Sequence, residues 1–211
     1  MQYACVFAMK TAPAVTALPD DASEPPTAEQ ALGETRAWVE RVVIGLNLCP
    51  FAKAVHTKGQ IRYVFTEDDH VEDLLNTLCV ELQRLVETDP AEIDTTLIVH
   101  PRVLQDFLDY NDFLGLADAA VEDMGLAGVL QVASFHPRYQ FEGTEPDDIA
   151  NASNRSPYPT LHLLREDSVD RAVHAFPEAE RIYEENIRTL KQLGKEGWEA
   201  LQAQVKRDAQ H

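Results

Sequence analysis

The sequence predicts an α/β domain, with α+β as the alternative: a small, mostly parallel four-stranded sheet, ferredoxin-like or doubly wound, with helices packed on it. Two observations carry that expectation. Short runs rich in β-branched and aromatic residues alternate with longer stretches of helical periodicity, the pattern of βαβ units. The chain is 211 residues long, enough to bury one real core and no more than one domain needs. The periodic part, residues 27–194, is read as a single domain. Residues 1–26 read as a flexible lead-in rich in Pro, Ala and Asp, and residues 195–211 as a charged tail.

Thr27 and Gln30 have capping-box spacing, and Ala31, Leu32, Thr35, Trp38, Val39, Val42, Val43 and Leu46 fall on one helical face. That helix is expected to end near Asn47, because Pro50 disfavours helical geometry at Cys49. IRYVF (61–65) is the first strand. Val71, Leu74, Leu75, Leu78, Leu82, Leu85 and Val86 then mark an amphipathic helix that stops before Pro90. TTLIVH (95–100) is the second strand, and Leu104 to Met124 a second helix that Gly115 could interrupt. GVLQVASF (128–135) is the third strand. Two consecutive βαβ units make these three strands parallel, with right-handed crossovers. Residues 136–159 form a long aperiodic loop before the strand TLHLLR (160–165), and loops of that length in compact domains are often functional. Helices are expected near 168–174 and 178–193.

The formal charge of −18, from 36 acidic and 18 basic residues, argues against a nucleic-acid partner and against an anionic membrane surface. Cys5, Cys49 and Cys79 form no even framework and no zinc-ribbon or CxxC spacing, which suits a reducing cytoplasm. The first residues have no charged segment followed by a sustained apolar one, and the chain has no apolar run of about 18 residues.

The sequence repeats one triplet. VHPR (99–102) and FHPR (135–138) each close a strand, so His100 and His136 fall at the carboxyl ends of parallel strands, where open α/β sheets bind ligands. Adjacent strands would bring the triplets within about 5 Å, and an intervening strand would double the gap. If the fourth strand runs antiparallel, His162 comes near the same rim. Three imidazoles, His100, His136 and His162, would suit a divalent transition metal such as zinc or iron with open positions for water or substrate. The alternative is that His100 and His136 cap strand ends by hydrogen bonding and His162 pairs with a core polar group.

No lysine lies between Lys58 and Lys191, yet Arg102, Arg138, Arg155 and Arg165 lie in or beside this rim. Guanidinium forks bind carboxylate or phosphate bidentately, and a helix starting after Pro101 would aim its N-terminus there, so the expected ligand is a small anionic molecule. The same arginines could instead pair with the surplus carboxylates. Tyr139, Asn151, Asn154 and Arg155 in the long loop offer polar contacts to a ligand, or serve as turn residues. Cys49 is a nucleophile candidate, although a thiol after a helix C-terminus gains nothing from the dipole, and burial as a structural residue is the alternative.

ETRAWVERVVIGLNLCPFA, the strand-ending HPR and FHPRYQFEGTEPDDIANASNRSPYPTLHLLRE resemble the bacterial family catalogued as domain of unknown function fourteen-fifteen, over about residues 28–190. The resemblance implies a single domain and marks Cys49, His136, Arg138, Asn154, Arg155 and His162 as motif positions, with no role or activity attached. Two functions therefore stand at the level of sequence. One is an enzyme, a hydrolase or oxidoreductase using metal-assisted or histidine acid–base chemistry on a small anion, with His100, His136 and Cys49 as catalytic groups. The other is a non-catalytic binding or assembly module that holds an anionic metabolite or a partner's carboxylate.

Overall fold

The structure is a computed structural model and describes residues 25–175 and 181–210. The expected lead-in, residues 1–26, lies almost wholly outside the described residues. Helix α1 (Ala28–Trp38) begins at Thr27, whose side chain accepts the Gln30 N–H at 3.2 Å. The Gln30 side-chain amide donates to Glu34 Oε1 one turn further on, at 3.1 Å. α1 runs on into a π-helical segment, Val39–Ile44, and the chain turns at Asn47, whose φ is 55°. A short helix, α2 (Ala52–Thr57), follows where no periodic signal predicts one.

The central elements appear close to where periodicity puts them: β1 (Ile61–Phe65), α3 (Val71–Glu87), β2 (Thr95–Val99), α4 (Phe107–Asp123), β3 (Leu130–Phe135) and β4 (Thr160–Arg165). α4 is unbroken at Gly115. The long loop contains a 3-10 helix, Ile149–Asn154, and β4 passes directly into α5 (Glu166–Ala175). α6 (Ile182–Asp208) is a correction to the sequence expectation: residues 195–208, anticipated as a charged tail, continue the helix and bury Trp198 and Val205. A kink at Gly194, with φ 68° and ψ 175°, divides it, a conformation open to glycine at little cost.

The strand order is β1-β2-β4-β3, with β1 and β2 parallel and β4 antiparallel to both β2 and β3. The sheet is therefore mixed, and the expected mostly parallel arrangement is corrected. β1, β2 and β3 do point the same way, but β4 enters between β2 and β3 and takes both of its neighbours antiparallel. Each face of the sheet carries its own core. Leu74, Leu78 and Leu82 of α3 and Phe113 and Ala117 of α4 pack with Ile98, Leu130, Leu161 and Leu163 on one face. Trp38, Val42, Leu190 and Val205 cover Leu97 on the other, so helices lie on both faces. Among the described residues no helix is long and apolar enough to cross a membrane.

Candidate functional site

The site is built at the carboxyl ends of β2 and β3. β4 separates the two strands, with Thr160 registered between Val99 and Phe135, so the triplets are two strand spacings apart. Side chains alternate along a strand, so the residue after Val99 and the residue after Phe135 both turn to the α3/α4 face. There α4 supplies Tyr110 to fill the gap. Its ring stacks on His100 at 5.7 Å and lies 5.1 Å from His136, while its hydroxyl donates to the Thr160 carbonyl (2.9 Å) and accepts the Phe135 N–H (3.2 Å). One buried tyrosine thus joins both triplets to the strand between them.

The hydrogen bonds of the two histidines show what the repeated triplet does. His100 Nδ1–H donates to the Val103 carbonyl at 3.1 Å. His136 accepts the Arg138 N–H on Nδ1 (3.0 Å), which fixes its proton on Nε2, and Nε2–H donates to the Leu104 carbonyl at 3.3 Å. The Arg138 guanidinium then donates to the Gln105 carbonyl (2.6 Å) and to the Asp106 carboxylate (3.2 Å). Three successive carbonyls, those of residues 103–105, are held by the triplets and their neighbours. Leu104 has φ 57°, a left-handed conformation that is an outlier for a bulky residue and persists only where its surroundings enforce it. Asp106 closes the loop as N-cap of α4, accepting the Leu108 N–H at 2.9 Å.

Both imidazoles are sealed, His100 at 0% exposure and His136 at 1%. Burial holds each at about 4, well below the ordinary histidine value, against the smaller opposing effect of the carbonyl each one bonds. His100 Nε2 has no hydrogen-bond partner among the described residues. Outside this sealed layer, Arg102 meets Glu67 at 3.0 Å, and Glu67 is itself 72% exposed. Arg138 and its partner Asp106 are both about half exposed.

The remaining expected site residues divide between loop scaffold and other parts of the fold. Asn151 is fully buried and committed within the loop: its oxygen accepts the Phe141 N–H and the Thr144 hydroxyl, and its amide donates to the Glu145 carbonyl. Asn154 donates to the Ser134 carbonyl, and its own carbonyl accepts the His136 N–H. Arg155 donates to the carbonyls of Tyr139 and Pro146, and the Tyr139 ring packs between Phe107 and Phe141. These residues cross-link the 136–159 loop into a fixed wall beside the rim. Arg165 lies in another place: it donates to the carbonyls of Leu85, Thr88 and Ile93 and so covers the C-terminus of α3.

His162 does not join the other two histidines. It is registered between Leu97 and Ala133, which puts it on the α1/α6 face, and its ring contacts Phe135. Because the Thr95 hydroxyl donates to the Leu163 carbonyl, His162 Nε2–H donates to Thr95 Oγ1 at 2.7 Å. The expected convergence of His100, His136 and His162 is thus corrected: antiparallel pairing brings the start of β4 to the rim, but alternation turns His162 to the opposite face. Among the described residues no group of three or more His, Cys, Asp or Glu side chains is arranged to hold a metal ion. Cys49 lies in the turn before α2, with the backbone N–H groups of Phe51 and Ala52 directed at it, and burial pushes its thiol up despite them. The favourable N–H groups come from the short helix that periodicity misses.

Sequence reasoning missed Tyr110, although it shares the spacing of Phe113, Ala117 and Val121 on the buried side of α4. It also missed Glu34, a buried carboxylate that accepts from Tyr158 at 3.0 Å and from Gln30, and so ties α1 to the approach to β4. Comparison with curated proteins and with solved structures returns no match for this chain. Residues 30–200 match the family described as "Protein of unknown function (DUF1415)", and the chain belongs to that family.

Proposed function

We propose that this domain binds a small anionic molecule on the guanidiniums of Arg102 and Arg138, with His100 and His136 shaping the receiving loop rather than transferring protons. The observation behind this reading is the commitment of both imidazoles: each gives its single N–H to a carbonyl of the loop, and both rings are sealed and neutral. The arginines are in the opposite condition. Their carboxylate partners are exposed, so an incoming carboxylate or phosphate replaces a solvated ion pair that contributes at most about 1 kcal/mol. The N-terminus of α4 adds N–H groups and the positive end of its dipole beside Arg138. With a net charge of −18 the protein does not draw anions from a distance, so affinity rests on bidentate contact and the ligand is small. Free Cys49 and Cys79 suit a reducing compartment, the cytoplasm.

The enzymatic reading keeps one specific observation in its favour. His100 Nε2 carries an unpartnered lone pair, which a substrate proton or a metal such as zinc or iron could use once the stack opens. Amide NMR of the full chain at low ionic strength, titrated with succinate and separately with inorganic phosphate, tests the binding reading. Saturable shifts centred on residues 102–109 and 138, weakened about tenfold or more in Arg102→Gln and Arg138→Gln, are expected from charge-assisted bonds of roughly 1.5–3 kcal/mol. No shift at these amides at millimolar ligand would sink the proposal.

A further inference from the structure

We propose that the two His-Pro-Arg triplets form an acid-released latch, in which protonation of the buried His100–Tyr110–His136 stack frees the loop 103–106 from the sheet rim. The latch needs no ligand, because its contacts lie within the chain; it shares the Arg138 guanidinium with the proposed anion site, so its test is run without added anion. The loop is held through three carbonyls, Val103 by His100, Leu104 by His136 and Gln105 by Arg138. At its centre Leu104 is kept at φ 57°, a conformation that leucine leaves when its carbonyl is released.

Neither histidine accepts a second proton in place. His136 Nδ1 already receives the Arg138 N–H, so a proton there sets donor against donor. His100 Nε2 faces no acceptor among the described residues, so a proton there leaves a charge with no hydrogen bond in a sealed site. Tyr110 lies in contact with both rings, and a charge on His136 disfavours one on His100. The other charged groups act in both directions. Asp68, ahead of α3, favours a charged His100, and Asp106 at the start of α4 favours a charged His136, while Arg138 opposes it. The Tyr110 hydroxyl is neutral, its own ionisation pushed well up by burial.

Burial outweighs these charges and holds both rings at about 4, against 6.5 for a solvated imidazole. The open loop therefore binds more protons than the closed one, and opening becomes easier as pH falls from 6.5 towards 4. From pH 7 to pH 5 the opening constant rises roughly 20-fold for each ring, and several hundred-fold if both are released.

Native-state hydrogen exchange of the full chain reads this directly. The reporters are the amides of Leu108, Tyr110 and Arg138, which bond to Asp106 Oδ1, to the Asp106 carbonyl and to His136 Nδ1. Protection factors corrected for intrinsic rates are measured at pH 7 and pH 5, each at several urea concentrations below the unfolding transition, since local opening is insensitive to urea and global unfolding is not. The expected result is a urea-insensitive opening whose constant rises at least about 100-fold from pH 7 to pH 5, and only about 20-fold in His136→Gln, which keeps a donor and an acceptor but cannot titrate. Exchange at the three reporters that follows the urea dependence of Leu97 and Ile98 overturns the latch, as does a urea-insensitive opening that is flat with pH. Should His136→Gln fail to fold, the wild-type urea series decides alone.

Discussion

Replacing Tyr110 with Phe isolates the group that joins the two triplets. The ring stays between His100 and His136, and only the hydroxyl is lost. That hydroxyl bridges the last registered pair of β3 and β4, donating to Thr160 and accepting from Phe135 in a fully buried position. Each bond contributes about 1 kcal/mol, and each backbone group left without a partner costs about 1–3 kcal/mol, so Tyr110→Phe is expected to destabilise the fold by roughly 2–4 kcal/mol. Urea unfolding followed by far-ultraviolet circular dichroism measures it. With a slope of about 2 kcal/mol per molar urea, the midpoint falls by roughly 1–2 M while the slope is unchanged. A loss below about 0.5 kcal/mol would refute the reasoning, because it would mean that the strand ends re-pair without the hydroxyl and that Tyr110 serves as packing alone.

Three further outcomes follow from the same structure. Arg165→Gln removes the donor shared by the carbonyls of Leu85, Thr88 and Ile93, and a loss of about 2–4 kcal/mol is expected in urea unfolding; an unchanged midpoint would show that water satisfies them equally well. His100, His136 and His162 are all held at about 4 by burial, so the stability present above about pH 6.5 is lost as pH falls towards 4, on the order of 3 kcal/mol per ring. Urea midpoints at pH 7, 5.5 and 4.5 measure that slope, and a flat profile would contradict the burial of neutral imidazoles. In a Cys5→Ser, Cys79→Ser background, Cys49 is expected to react with an alkylating reagent at pH 7.5 at least about tenfold more slowly than free cysteine, since burial raises its thiol; labelling at the free-cysteine rate would restore it as a nucleophile.

The amino-acid sequence by itself determined the elements whose cause is local. The apolar stripe of α3, the β-branched runs of β1 and β2 and the Thr27 cap are set by residues within a few positions of one another, and each is found where the pattern puts it. The His-Pro-Arg repeat also placed the rim correctly, because a residue that follows a strand lies at its end whatever the order of strands. Other features needed the tertiary structure. Residues 195–208 read as a charged tail although Trp198, Leu201 and Val205 already have helical spacing; what only the tertiary structure supplies is the surface of α1 and the π-helical segment that they cover. The insertion of β4 between β2 and β3 is a long-range pairing, and its register, with the alternation of side chains along the strand, puts His162 on the face opposite His100 and His136. The partners of those two histidines were equally hidden: they are backbone carbonyls, which every residue carries and no residue type signals. The left-handed Leu104 likewise has no signal in its own residue type: the neighbouring His100 holds the carbonyl before it, while His136 and Arg138, more than thirty positions away, hold its own and the next.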